Sequence, residues 1–440
     1  RSSSKLKFME PTQPSNPSTQ TPTPVPGMPQ PTPLQPAVAV TPVAAQHPQT
    51  PPPPPAAPTN QLSMSQTSKH GVNEVGYAAS INDYLIWLNG LPNIKINEIV
   101  MTKDGARGLV TAVKNNQVEI LMLDDSKIQP NTMFTRTYQQ LSIEAGTHLI
   151  GRTVNPLGLP IDGKGRFVQK GELTEIERPA LGIKSRATIT RQFETGIAMV
   201  DLLIPMAFGQ RELMMGDPRS GKTGFLIDII TNQKGKDITC ILALVGKPII
   251  EIRRLVDILG LNGALDYTII VAASSSEKAP LIFVTPQVAV TLAEHFQRQG
   301  KDVLLIMDDM GVHAKFYREI SLLSGTAPGR ESYPGDIFYQ HAKLVERCGN
   351  FNKQFGGGSI TCLPVIEIAQ DDYSAYMPTN LMGMTDGHFL FSSNRYHQGY
   401  RPSVDISLSV SRVGRQTQNL AQKQLADRVK ALLAEAKKLE

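Results

Sequence analysis

The stretch Arg211-Glu-Leu-Met-Met-Gly-Asp-Pro-Arg-Ser-Gly-Lys-Thr223 decides how the rest of the chain is read. A short apolar run ends at Gly216, and Gly221, Lys222 and Thr223 complete the spacing Gly-x-x-x-x-Gly-Lys-Ser/Thr. The apolar residues from 225 to 230 then have helical character. Strand, glycine loop and helix in that order make a phosphate cradle. The loop of Gly216, Asp217, Pro218, Arg219, Ser220 and Gly221 turns its N–H groups inward, and the helix start adds partial positive charge. Pro218 has no N–H to offer, so the donors from 220 to 223 carry the binding. Lys222 reaches the outer phosphates and the Thr223 hydroxyl ligates Mg²⁺, which makes ATP or ADP with Mg²⁺ the expected cofactors.

The 440 residues leave room for about two to three domains, and an apolar share of 40% supports a substantial core. Net charge is +5, from 44 Lys and Arg against 39 Asp and Glu, spread without a basic run. That argues against nucleic acid as the main partner. Cys240, Cys348 and Cys362 are far apart and odd in number, which fits reduced, buried thiols better than disulfides or a zinc site. No apolar stretch reaches the ~18 residues of a membrane-spanning helix, and no secretory h-region is present.

Residues 1–70 are a segment apart. More than half of the 33 prolines lie between Pro11 and Pro58, among Thr, Gln, Ser and Ala. Such a composition buries too little apolar surface to offset chain entropy and reads as a disordered tether. From 71 to 146, β-like runs at 98–101, 108–113, 118–123 and 138–143 are separated by Lys-Asp-Gly, Lys-Asn-Asn and Asp-Asp-Ser, the pattern of a small antiparallel barrel. From 147 to 415, after a turn-rich bridge, strands at 212–215, 240–245, 268–272, 303–307 and 359–363 alternate with helical segments such as 288–299 and 335–352. The alternation predicts a mostly parallel sheet covered on both faces. Residues 416–440 hold an amphipathic helix rich in Lys, Glu and Leu.

A second motif supports the first. Val303-Leu-Leu-Ile-Met-Asp308-Asp309 is an apolar strand ending in carboxylates, the place from which an Asp reaches Mg²⁺ in P-loop proteins. Asp308 takes that role here, with Asp309 second. Longer segments then identify a family. Pro179-Ala-Leu-Gly-Ile-Lys-Ser-Arg186, Gly209-Gln-Arg-Glu-Leu-Met-Met-Gly-Asp217 and Pro328-Gly-Arg-Glu-Ser-Tyr-Pro-Gly-Asp336 come in this order. They are followed by Phe355-Gly-Gly-Gly-Ser-Ile-Thr-Cys-Leu-Pro-Val-Ile-Glu367 and Ser409-Val-Ser-Arg-Val-Gly414. Across roughly 75–435 the chain closely resembles the alpha subunit of the F-type ATP synthase (a motif match).

The resemblance implies a non-catalytic subunit that binds Mg-ATP and alternates with beta-type catalytic chains in a hetero-hexamer around a central stalk. It implies that Arg412 is an arginine finger acting in trans on the neighbouring beta-type site, with Ser411 supporting its backbone. It also implies that Tyr396, Arg401 and Pro402 wall the adenine. The catalytic family members carry a Glu, and the alpha type a Gln, at the position of Lys247. An ammonium cannot orient or deprotonate water as a carboxylate does, which fits a site without turnover; pairing with a phosphate is its expected use.

The expected architecture is therefore an α/β P-loop NTPase core preceded by a small β-barrel. A disordered Pro-rich N-terminus and a truncated C-terminal helical part flank them. The Pro-rich segment stands where the family contacts the peripheral stalk, so that attachment is left open. The expected function is support of proton-motive ATP synthesis or hydrolysis, on the cytoplasmic side of the energy-coupling membrane and reaching it only through the complex. The alternative is a subunit of a repurposed F-like motor outside energy conversion.

Overall fold

The computed structural model describes residues 74–114 and 117–439; the Pro-rich segment 1–70 lies outside them. Six antiparallel strands, β1 (Val75–Asn82), β2 (Leu85–Gly90), β3 (Glu98–Thr102), β4 (Arg107–Lys114), β5 (Gln117–Met122) and β6 (Met133–Gln140), close into a barrel in the order β1-β2-β5-β4-β3-β6. Ala78, Leu88, Val100, Val110, Ile120 and Phe134 fill its interior. A buried fork joins Arg136 to Glu98, with Nε–Oε2 at 2.7 Å and Nη2–Oε1 at 2.8 Å.

The run expected as one strand at 138–143 is divided. Tyr138 has φ 58 and β6 ends at Gln140, while Ser142–Ala145 pairs with Glu172–Glu175 in a separate two-stranded sheet. The left-handed Tyr138 falls where β6 slips register against β3, a bulge within the strand, and the strand then leaves the barrel after Gln140.

The α/β core is a nine-stranded sheet. Its main path runs through β7 (Thr153–Val154), β8 (Glu212–Gly216), β9 (Ile238–Lys247), β10 (Thr268–Ser274), β11 (Asp302–Asp308), β12 (Ser359–Glu367), β13 (Gly387–Phe391) and β14 (Val410–Ser411). The spatial order is β14-β13-β8-β12-β11-β9-β10-β7, and every neighbouring pair along it is parallel except β13–β14. These strands are continuous apolar runs because helices cover both faces: α1 (Lys222–Thr231), α2 (Ile249–Leu261), α3 (Ala279–Arg298), α4 (Met310–Leu323) and α5 (Ile337–Val345) among them.

Two helices differ from expectation. α3 starts nine residues before 288 and runs through Pro286. Proline normally breaks a helix, but α3 is buried on nearly every side, from Ile282 to Phe296, and packing overrides the local preference. α5 is shorter than 335–352, because the chain turns at Cys348 into Gly349–Asn350, which pairs antiparallel with β12. The final helix, α6 (Leu420–Leu439), seats Ala426 and Val429 in the core. All three cysteines are free and buried.

Barrel and core share apolar contacts. Ala279 and Ile320 belong to the barrel's buried cluster, and the Tyr84 hydroxyl donates to Glu319 Oε1 at 2.8 Å. Behind α3, Arg347 is 2% exposed and spends its whole fork on one spot. Its Nε and Nη2 meet the two Glu294 oxygens at 2.7 and 2.9 Å, Nη1 donates to Ile176 O, and Nη2 also donates to Thr291 Oγ1. Removing one member of such a pair strands the other charge. We therefore expect Arg347→Ala to destabilise the fold by about 3–5 kcal/mol in urea unfolding, far beyond the effect of an exposed arginine.

Candidate functional site

β8 ends at Gly216, the loop follows, and α1 begins at Lys222 with Gly221 as its cap. Gly221 has φ 96, and a Cβ there would stand 3.2 Å from Tyr396 Cε2, so only glycine suits the turn. The loop is tied down from distant parts of the chain. Asp217 Oδ1 accepts from the Asp371 N–H at 2.9 Å, and Oδ2 accepts from the Ser393 hydroxyl at 3.2 Å. The Ser403 hydroxyl donates to Ser220 O. Pro218 and Arg219 are exposed at the loop's outer edge, and Arg219 has φ 62.

Lys222 is folded back over its own loop. Its Nζ donates to Gly216 O and Asp217 O, each at 2.7 Å, and lies 3.8 Å from Glu367 Oε1. Burial lowers its pKa, while Glu367, Asp309 and Asp308 work in the opposite direction. Register brings these groups together: Gly216 pairs with Glu367 across β8 and β12, and Leu244 pairs with Asp308 across β9 and β11. All of them stand at the carboxyl ends of parallel strands, where open α/β sheets bind ligands. Glu367 was not read from the sequence as a site residue. Its signal is the same as that of Asp308, a carboxylate closing an apolar strand.

Asp308 has a partner that the sequence did not indicate. Lys247 Nζ lies 2.9 Å from Asp308 Oδ1, with the two side chains 15% and 6% exposed. Burial opposes the ammonium's charge, but Asp308, Asp309 and Glu367 outweigh it and hold Lys247 above the ordinary lysine range. Asp309 is buried and caps α4. Its Oδ1 accepts from the Val312 N–H and its Oδ2 from the Glu367 N–H, each at 2.8 Å. Burial, helped by Asp308, pushes its carboxyl up to about 6. Thr223 is exposed at the start of α1. A divalent metal held by Thr223 and Asp308 does not fit this arrangement, since the carboxylate already carries an ammonium and its neighbour is committed to two backbone donors.

Tyr396 lies in the short helix Ser393–His397. The Arg401 guanidinium sits 3.6 Å from its ring centroid and donates to Tyr396 O and Tyr400 O, each at 2.8 Å. Tyr396 and Arg401 are thus packed together, and Pro402 joins them to Ser403, which bonds the phosphate loop. A cation over the ring is itself a favourable contact, so Arg401 holds the aromatic in place.

Arg412 is elsewhere. Ser411, in β14, pairs with Gly387 at the start of β13, which in turn pairs with Glu212 at the start of β8. Arg412 therefore stands by the amino end of the strand whose carboxyl end carries the phosphate loop. Its N–H donates to Asp386 O at 3.1 Å. Arg211 forks onto the Asp386 carboxylate at 3.0 and 2.8 Å. Ser411 Oγ donates to Pro205 O and accepts from Gln210 Nε2 at 3.1 Å. Gly414 packs so tightly on Pro205 O that a Cβ there would overlap it. The Arg412 side chain is exposed and has no hydrogen-bond or ion-pair partner among the described residues. Beneath it, Glu212 is wholly buried; burial raises its pKa well above the carboxylate range, and Oε1 has no hydrogen-bond partner.

Fold and loop together define a P-loop nucleotide-binding protein. Residues 196–411 match the ATP synthase alpha/beta family, nucleotide-binding domain. The chain is 43% identical over 378 residues to ATP synthase subunit alpha of Rickettsia bellii (strain OSU 85-389), covering 84% of this chain and 74% of that one. It is 41% identical over 374 residues to ATP synthase subunit alpha of Petrotoga mobilis (strain DSM 10674 / SJ95), with the same coverage. It is 42% identical over 370 residues to that of Streptococcus pyogenes serotype M5 (strain Manfredo), again with 84% and 74% covered. The chain belongs to the ATP synthase subunit alpha family.

Because the Asp217 carboxylate ties the loop to the turn at Asp371 and to Ser393, Asp217→Ala should release the Asp371 amide. Hydrogen exchange at that amide should accelerate about tenfold or more, the equivalent of a lost charge-assisted bond.

Proposed function

We propose that this chain holds ATP or ADP at 216–223 without turning it over and lends Arg412 to the catalytic site of a neighbouring beta-type chain. In that role it is the regulatory and structural alpha-type subunit of a membrane-attached F-type ATP synthase that couples a proton-motive force to ATP synthesis or hydrolysis. The observation that carries the reading is the position of Arg412. It projects, exposed and with no ion-pair partner among the described residues, from the end of the sheet opposite to the chain's own loop. A guanidinium placed there cannot serve its own nucleotide, but it can meet the phosphates of a chain docked on that edge. Its planar fork suits equatorial phosphoryl oxygens. Lys247 supports the absence of turnover, since no carboxylate stands at its position to orient water.

In this reading the chain alternates with beta-type subunits around a central stalk, with the peripheral stalk as a further partner. It sits on the cytoplasmic face of the energy-coupling membrane. Association with that membrane runs through the complex, consistent with the finding that no described helix is long and apolar enough to cross one. Lys222 leaves the loop carbonyls to meet the outer phosphates, α1 directs its N-terminus at them, and the Tyr396–Arg401–Pro402 unit flanks the base.

Two measurements test this. Arg412→Lys in the reassembled complex keeps the charge and loses the fork, so kcat should fall by about 10³ with assembly intact. Turnover within a factor of about two of wild type would sink the trans role. Lys222→Ala in the full chain should weaken binding of a fluorescent ADP by about tenfold or more, as expected for loss of a charged phosphate contact. Unchanged affinity would move the nucleotide away from this loop.

A further inference from the structure

The carboxylate that closes β11 already carries a cation supplied by the chain. Lys247 and Asp308 lie on adjacent parallel strands, paired in register through Leu244, and the chain shifts register between Val245 and Lys247. Gly246, at φ 62, packs under Val312 and Phe316 and sets the direction in which Lys247 leaves the strand. The ammonium lands 2.9 Å from Asp308 Oδ1 with both groups largely buried.

We infer that Lys247 supplies, from within the chain, the positive charge that a divalent metal supplies in other P-loop sites, so that this site takes a nucleoside polyphosphate without Mg²⁺. The inference rests on the reading of 216–223 as a nucleotide site. Mg²⁺ requires near-octahedral oxygen ligands at about 2.0–2.1 Å. An ammonium at hydrogen-bond distance from the carboxylate occupies the position of such a metal and repels a second cation there. Asp309 cannot replace Asp308 as ligand, because both of its oxygens accept backbone N–H groups that cap α4 and anchor Glu367. Thr223 alone leaves a metal with one protein oxygen. An ammonium has three donors; Asp308 takes one, and two remain for phosphate oxygens. With Lys222, it places two ammonium groups around the outer phosphates.

The test is a titration of the full chain with N-methylanthraniloyl-ADP, once with millimolar Mg²⁺ and once in EDTA. The two dissociation constants should agree within about threefold, and Lys247→Gln, which removes the internal charge, should make binding at least about tenfold tighter with the metal than without it. Wild-type binding that weakens about tenfold or more in EDTA overturns the inference while leaving the nucleotide site standing. So does a Lys247→Gln chain that stays as indifferent to the metal as wild type while its thermal unfolding is unchanged. No binding in either medium overturns the nucleotide site itself, and this inference with it. The wild-type comparison needs no variant, so a misfolded Lys247→Gln chain does not remove the test.

Discussion

A parallel strand covered on both faces can offer polar chemistry only at its ends. β8 is such a strand. All five of its residues are buried, and its neighbours β12 and β13 are parallel to it. Its carboxyl end opens into the phosphate loop at Gly216, and its amino end, through Arg211 and Glu212, holds the backbone that carries Arg412. The loop and Arg412 therefore stand at opposite ends of one short strut. Neither can shift along the sheet without disturbing the ladder that holds the other.

The polar groups at the carboxyl end are organised as a closed set. Lys222 satisfies loop carbonyls, Lys247 satisfies Asp308, and Asp309 satisfies two backbone donors. Buried charges persist only when paired and hydrogen-bonded; Lys222, Lys247 and Asp309 are so held, while the Ser220 hydroxyl in the loop has no hydrogen-bond partner. These pairs differ in how tightly they hold their donors. Lys222 is the easiest to redirect, since its partners are neutral carbonyls and a carboxylate 3.8 Å away.

Much of this was legible in the sequence. The glycine spacing and the apolar strand ending at Asp308 are local patterns, and local patterns survive folding. The barrel's strand spacing and the alternation of strand and helix gave the architecture. What escaped depends on residues far apart in the chain. Asp371, Ser393 and Ser403 hold the loop from more than 150 positions away, and no window of sequence contains such a contact. The Lys247–Asp308 pair depends on the register of β9 against β11, which hydrophobic patterning does not encode at single-residue resolution. The break after Gln140 and the passage of α3 through Pro286 were misread for a related reason. At Pro286 the surrounding packing outweighs the preference of the residue itself, and at Gln140 the chain changes partner, from β3 to the strand Glu172–Glu175.

Glu212 has a consequence for reach. Burial raises its pKa, although Arg412 itself works in the opposite direction, so the carboxyl beneath Arg412 offers less counter-charge than an exposed carboxylate would. Salt at physiological strength screens the guanidinium's field over about 8 Å. An anion well beyond that range is largely screened from the arginine, and one in close contact is screened much less. The arginine's influence is therefore short-ranged: it grows as another molecule closes on this edge of the sheet and fades as the two part.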